Sequence, residues 1–252
     1  MSFPLDFHIG IFTLSGHLLF ETLGFILGYR YYSYLRKKQI DKINDSNRLT
    51  ILIAATFGAF FFSRLIGALE NPYALFQSKN IIIDIFRSKT IIGGLLGGLI
   101  FVEGVKKLIG EKSSSGDLFT YPLILAIAIG RIGCLTSGIY EPTFGEPTSF
   151  FLGMNLGDNI QRHPTSLYEI IYLILLFGYL RYIEGKILFK DGIRFKIFMI
   201  TYLTFRFFIE FIKPGFTFFW GLGTIQITCF LGLIYYSKTI LKLVYQPKSL
   251  IA

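Results

Sequence analysis

Several ionisable side chains of this chain stand where charge is costly, and their types and spacing suggest a chemistry. Arg131 lies in GRIGCLTSGIYEPT, Gly130 to Thr143, just after the apolar run LFTYPLILAIAI. Arg206 and Glu210 lie in RFFIEFIKP, and His17 and Glu21 in SGHLLFETLGF. Each of these pairs is spaced i, i+4, which puts its members on one face of a helix. Arg64 interrupts FGAFFFSRLIGA, and RHPTSLYE carries Arg162, His163, Tyr168 and Glu169. An ionisable group in hydrocarbon costs about 2.5–3.5 kcal/mol on insertion scales, so it normally faces a bundle interior or a cavity. Guanidinium groups offer rigid paired donors and stay charged when desolvated, which suits them to grip a phosphate. An imidazole, with an ordinary pKa of about 6.5, suits a base at neutral pH. These groups come from several segments, so their plainest common meaning is a polar interior or cavity that could meet an anionic group; the resemblance set out below makes Arg131 and Arg206 the first candidates to hold it, with His163 as base and His17 beside Glu21 as the second choice. Glu210 would orient Arg206 and offset its charge. Plainer readings stand beside these: an internal Arg–carboxylate pair that only fixes helix packing, and Pro164, Thr165 and Ser166 as helix-start residues. Tyr168 also reads as an interface anchor, and Glu103 as the partner of Lys106 and Lys107.

The solvent around these groups follows from composition. Of 252 residues, 52% are hydrophobic and only 16% charged, and the mean hydropathy is +0.56. That excludes an ordinary soluble domain. A hydrocarbon core of about 30 Å needs roughly 20 mostly apolar residues per helix. The apolar segments near 9–34, 49–68, 91–108, 119–138, 167–183, 195–212 and 220–240 predict an all-α polytopic membrane protein with about seven spans. Their length and continuity favour helices over the roughly ten-residue alternation of a barrel. With no repeat or long linker, residues 1–252 read as one domain. MSFPLDFHIG carries no Lys or Arg, so no cleavable signal peptide is expected.

Orientation comes from where Lys and Arg fall between the segments. Arg36, Lys37, Lys38, Lys42 and Arg48 fill the first connection; Lys106, Lys107 and Lys112 the third; Arg181, Lys186, Lys190, Arg194 and Lys196 the fifth; and Lys238, Lys242 and Lys248 the tail. Only Lys79, Arg87, Lys89, Arg162 and Lys213 stand on the other side. The N-terminus is therefore expected outside and the C-terminus in the cytoplasm. The net charge of +9 then needs no nucleic-acid partner, because anionic headgroups account for it. Taking about 1.5 Å per helical residue, Arg64, Arg131, Arg206 and Glu210 lie at or above the midplane. On the same scale His17 and Glu21 lie roughly 12 and 18 Å below the outer start of the first span. Between spans four and five a connection of about 27 residues is long for a compact bundle, a mark of functional loops.

Cys134 and Cys229 both fall inside spans. Neither a disulfide framework nor a metal site is expected, since a metal site wants clustered Cys and His. No cofactor is implied.

Together the motifs resemble the prolipoprotein diacylglyceryl transferases, bacterial inner-membrane enzymes with seven transmembrane helices. GRIGCLTSG resembles the family signature, with Gly130 and Gly133 as its glycines. RHPTSLYE is similar to the family's Arg-His-Pro-Ser-Gln-Leu-Tyr-Glu, RFFIEFIKP to its Arg-Phe-x-x-Glu-Phe-x-Arg-x-Pro, and IIGGLLGG to its third-span glycine segment. These four regions occur in order over most of the chain. The resemblance implies transfer of a diacylglyceryl group from phosphatidylglycerol to the lipobox cysteine of a prolipoprotein, at its signal-peptide region. Arg131, Arg206, His163 and Glu210 would then be catalytic, with Arg64, His17, Glu21, Gly130, Gly133, Arg162, Tyr168 and Glu169 binding substrate. The chain departs from the family in four places. Cys134 replaces the signature's Asn, and Ile139 its acidic residue, with Glu141 two residues on. Ile92 replaces a histidine, and Lys213 an arginine. These mark a divergent member and leave two alternatives open, another lipid donor or acceptor, or a non-catalytic lipid-binding scaffold. A transporter would spread its polar residues over both halves and show inverted repeats, neither of which is seen.

Overall fold

The computed structural model describes residues 3–9, 12–39 and 41–251. Within them the chain is mostly helical. Strands β1 (Asp6–Ile9) and β2 (Phe12–Ser15) pair antiparallel, Asp6 opposite Ser15, and lead into α1 (Gly16–Lys38). Next come α2 (Asp45–Ala68), the short α3 (Pro72–Gln77) and α4 (Ile81–Arg87), α5 (Ile91–Leu108) and α6 (Asp117–Ser137). The long connection holds a two-residue antiparallel pair, β3 (Met154–Asn155) and β4 (Gln161–Arg162), before α7 (Thr165–Glu184). Helices α8 (Ile193–Ile209), α9 (Thr224–Tyr235) and α10 (Ser237–Tyr245) follow.

Each of the seven apolar segments contains a helix. Three of them, α2, α6 and α7, are long and apolar enough to cross a membrane; the count rises to five if two bent pairs each make one span. The bends are 91° between α4 and α5 and 63° between α9 and α10. The first segment starts later than its hydropathy indicates. Residues 12–15 are strand rather than helix, and Gly10 and Ile11 lie outside the described residues. What diverts the chain is backbone pairing: the Leu5 amide donates to the Thr136 carbonyl at 2.8 Å, and the Gly16 amide to the Leu5 carbonyl at 3.2 Å. Consequently His17 sits in the first turn of α1, at the end of the bundle rather than 12 Å inside it. Likewise α8 ends at Ile209, and Glu210 opens a 3₁₀ turn.

Contacts at the two ends fix how the helices run. At one end Arg48, at the start of α2, pairs with Asp41 just after α1 and donates to the Ser115 carbonyl before α6 at 3.3 Å. Burial pushes the Asp41 carboxyl up, but the hydrogen bonds from Arg48, the Ile43 amide and Arg36 together outweigh it and hold the group below its ordinary value. Asp117 accepts from the amides of Gly192 at 2.6 Å and Phe195 at 3.0 Å, capping the start of α8. Arg194 ties α8 to Glu184 at the end of α7. At the opposite end Lys89, just before α5, reaches Glu21 of α1 at 2.8 Å, and the Thr224 hydroxyl donates to the Leu69 carbonyl. Arg131, Arg206 and Glu169 belong to this second end.

Close approach depends on glycine in the GGLLGG segment of α5. A Cβ on Gly97 would stand 2.3 Å from the Phe62 Cβ and 2.4 Å from the Gly58 carbonyl oxygen. Small residues of this kind let helices pack where lipid gives no hydrophobic drive. The core between helices contains Ile92, Tyr121, Leu173, Phe198, Tyr202 and Leu203. Phe25, Phe57, Leu175 and Phe230 are exposed on the outside, as expected where the solvent is hydrocarbon.

Candidate active site

The site is organised around one carboxylate. Glu169 is the fifth residue of α7 and is 2% exposed. Its Oε2 accepts from Arg206 of α8 at 2.9 Å, and the Tyr202 hydroxyl donates to Oε1. The Nε of Arg131, from α6, lies 2.9 Å from Oε1. That nitrogen is close enough for an ion pair, yet its N–H has no hydrogen-bond acceptor, and the same holds for the Arg206 Nε. Arg206 also donates to Glu210, which accepts from Lys213 at 3.3 Å. Two guanidiniums from separate helices thus share one carboxylate. Arg131, Arg206 and Lys213 stand against Glu169 and Glu210, with Glu70 nearby, beside unsatisfied buried donors. An anion there would gain charge-assisted hydrogen bonds.

A second cluster adjoins the first. The Arg131 guanidinium donates to Cys134 Sγ at 3.6 Å. Cys134 lies with His17 and Glu141 in a group whose ligand atoms are all within 4.8 Å of one another. Gly133 makes this possible, because a Cβ there would come within 3.0 Å of the His17 carbonyl oxygen; its absence lets α1 lie against α6. His17 Nε2 is 3.1 Å from Lys89 Nζ and 3.4 Å from Glu21 Oε2, while its Nδ1 is buried without a hydrogen-bond partner. Beside Gly130 nothing lies within 4 Å of where a Cβ would be, so there is open space one residue from Arg131.

The remaining sequence candidates lie apart. Arg64 donates to the Ser88 carbonyl at 3.1 Å and stacks 5.4 Å over the Phe60 ring, holding α2 to the end of α4. Arg162 donates to Asp158 at 2.7 Å, and that bond holds the Asp158 carboxyl below its ordinary value. His163 Nδ1 lies 3.0 Å from the Tyr168 hydroxyl. Among the described residues no hydrogen bond or ion pair joins His163 to either arginine. Its segment lies over the end of α8 instead: Gly145 donates to the His163 carbonyl at 2.8 Å, and Glu146 to the Ile212 carbonyl at 2.8 Å. The expected capping role of Thr165 and Ser166 is also revised. Pro164 holds the N-cap position, and both hydroxyls donate to the Thr143 carbonyl, pinning the long connection to α7.

Sequence reasoning missed Lys89, Tyr202 and Glu70, and named Cys134 and Glu141 only as departures from the family signature. Glu70, just past α2, lies within electrostatic reach of Lys213, Glu210 and both arginines; burial pushes its carboxyl up, against the pull of Lys213. The argument against clustered Cys and His fails for a plain reason: His17 and Cys134 are far apart in sequence, and only the α1–α6 contact joins them. Both cysteines are free and buried, as expected. A small cavity of about 10 Å³ lies beside Cys134, lined also by Gly138, Thr143 and Pro164. A groove of about 770 Å³ lies at the opposite end, lined by Tyr29, Tyr32, Arg36 and Asp41 among others.

Comparison with known proteins supplies the family. The sequence profile described as "Prolipoprotein diacylglyceryl transferase" matches residues 4–242. A Dehalococcoides mccartyi protein is 26% identical over 98% of this chain and 94% of its own length. A Rickettsia felis protein is 30% identical over 82% of both chains, and one from Clostridium tetani 27% identical over 68% of this chain and 70% of its own. All three carry the name phosphatidylglycerol–prolipoprotein diacylglyceryl transferase. With the match running nearly end to end, and with the arginine motifs converging on one buried carboxylate, the chain belongs to the prolipoprotein diacylglyceryl transferase family.

Proposed function

We propose that this protein transfers a diacylglyceryl group from phosphatidylglycerol to the lipobox cysteine thiol of a prolipoprotein, acting as a single domain in the bacterial inner membrane. The observation that carries the reading is the convergence of Arg131 and Arg206 on Glu169, with buried donors to spare. In this reading the seven helical segments span the membrane, with the N-terminus outside and the C-terminus in the cytoplasm. The arginine end of the bundle then faces the outer leaflet, where a secreted substrate presents its cysteine. The lipid phosphate enters beside Gly130 and competes with Glu169 for both guanidiniums. Those cations stabilise the charge that develops as glycerol phosphate leaves. Glu210 orients Arg206, and Lys213 adds a third cation at the rim. His163 accepts the thiol proton, with Tyr168 fixing its ring. Arg162 orders the connection that carries it, and Arg64 holds the α2–α4 corner against which the lipid lies. His17 and Glu21 line the inner side of the same entry.

The test is genetic rescue. In cells depleted of their own transferase, the wild-type chain should add diacylglycerol to a lipobox reporter peptide. Arg131→Ala and Arg206→Ala should each lower transfer at least 100-fold, the scale of removing one group that stabilises transition-state charge. Full activity in both variants would end this assignment. A wild-type chain that binds labelled phosphatidylglycerol but modifies no lipobox peptide would favour the scaffold, or another acceptor. The isoleucines at positions 92 and 139 are what keep that alternative in view.

A further inference from the structure

We propose that the groove between α1 and α2, at the end of the bundle opposite the arginines, binds one anionic phospholipid that is not a substrate, its phosphate at the charged mouth and its acyl chains along the flank of the two helices. The site rests neither on the transferase reading above nor on which leaflet this end faces.

Packing elsewhere opens the groove. Helix α1 lies along α6 and α2 along α5, each through glycine: a Cβ on Gly24 would stand 2.8 Å from the Ala126 carbonyl oxygen, and one on Gly58 2.5 Å from the Gly97 carbonyl oxygen. Drawn to different partners, α1 and α2 leave a space of about 770 Å³ between them, within the roughly 300–1,000 Å³ of small-molecule sites. On α1, Tyr29, Ser33 and Lys37 line it at i, i+4 and i+8; on α2, Asp45, Leu49 and Leu52 line it at i, i+4 and i+7. Each helix therefore turns one stripe to the groove. Because α1 ends at the mouth and α2 starts there, Lys37 and Asp45 lie outermost, with Tyr29 and Leu52 roughly 10–12 Å deeper at about 1.5 Å per residue. Exposed Phe25, Ile26 and Ile53 continue the apolar track. Charge at the mouth and hydrocarbon-facing side chains below it match the two halves of a phospholipid.

The polar groups decide for an anionic headgroup. Asp41 and Asp45 are the acidic residues lining the groove, and both are already bonded by Arg36, at 3.0 and 2.6 Å. Asp41 is met by Arg48 as well, whereas Asp45 is 96% exposed and free to give way to a phosphate. Lys37 has no acidic partner among the described residues. The last turn of α1 carries three basic residues, Arg36, Lys37 and Lys38, which offset its own C-terminal carbonyls, and the N-terminus of α2 adds the positive end of a 24-residue helix. One further donor points to a ligand. Tyr32 lines the groove one turn below Arg36, is 5% exposed, and keeps a buried hydroxyl without a hydrogen-bond partner. An ester oxygen of the lipid glycerol, just beneath the phosphate, would accept from it.

The test uses the full chain in phosphatidylcholine nanodiscs, with Trp220→Phe removing the native tryptophan and Tyr29→Trp placing a fluorescent reporter in the groove. Phosphatidic acid with brominated acyl chains is the probe, and brominated phosphatidylcholine the control. Quenching by the anionic lipid should saturate at low mole fraction, with an apparent affinity at least fivefold above that of the zwitterionic lipid, the effect of about one basic residue at a lipid surface. Lys37→Gln, which breaks no ion pair, should lower that preference at least threefold, and Ser33→Phe, which fills the groove, should remove the saturable component. Arg206→Ala should lose transfer to a lipobox peptide yet keep the preference, which separates a failed phosphate grip at the arginines from a failed groove. Equal quenching by the two lipids, or a preference unchanged by both Lys37→Gln and Ser33→Phe, would overturn the site. A preference lost in Arg206→Ala would assign the lipid to the arginine end and overturn it too.

Discussion

At the residue scale the weight falls on Glu169. It is 2% exposed and is met by Arg131, Arg206 and Tyr202. Removing one partner of a buried ion pair leaves an uncompensated charge, which typically costs about 3–5 kcal/mol. Glu169→Ala should therefore lower thermal stability in detergent sharply, by an amount in that range. Arg131→Ala and Arg206→Ala each leave Glu169 one guanidinium, so each should destabilise less. The same asymmetry decides between roles. A purely structural triad would lose activity in proportion to stability, whereas a phosphate grip would lose transfer in an Arg206→Lys variant that remains folded, because an ammonium lacks the paired donors of a guanidinium.

At the element scale, two predictions follow from how the pieces are joined. A side chain at Gly97 has no room, since even a Cβ would stand 2.3 Å from Phe62 and 2.4 Å from a carbonyl oxygen. Overpacking of this kind costs about 1–3 kcal/mol, and Gly97→Val should show it as a lowered midpoint of thermal unfolding. The long connection depends on the Arg162–Asp158 bond, which holds the Asp158 carboxyl below its ordinary value. A carboxyl depressed in the folded state stabilises it above the unfolded pKa, about 3.9 for Asp, and that contribution fades as pH falls through the folded value. The protection of amides in residues 154–162, relative to their intrinsic exchange rates, should accordingly fall below about pH 4 in the wild type, and Asp158→Asn should show that low protection already at neutral pH.

At the scale of the whole molecule the question is which end faces which leaflet. Charge counting between segments puts the arginine cluster outside. Cysteines introduced at Ser149 and Lys112, in connections at opposite ends of the bundle, test this directly in intact cells. Ser149→Cys should react with a membrane-impermeant maleimide and Lys112→Cys should not; the reverse pattern would invert the topology. The native cysteines are both buried, so the background should be low.

Hydropathy alone located every main helix, because apolar length is written locally: 91–108 is α5 residue for residue, and 119–138 differs from α6 by two residues at its start and one at its end. The arginine motifs were also legible, since a guanidinium amid hydrocarbon must face something polar. The convergence of Arg131 and Arg206 on the single carboxylate of Glu169 was not, nor was the meeting of His17 with Cys134. Those depend on which helices touch, and the spacing along one helix face carries no information about its neighbour. Where the first helix begins was likewise decided tertiarily, because the Leu5 amide finds the Thr136 carbonyl of α6 and the Gly16 amide finds the Leu5 carbonyl, a choice that hydrophobicity does not encode.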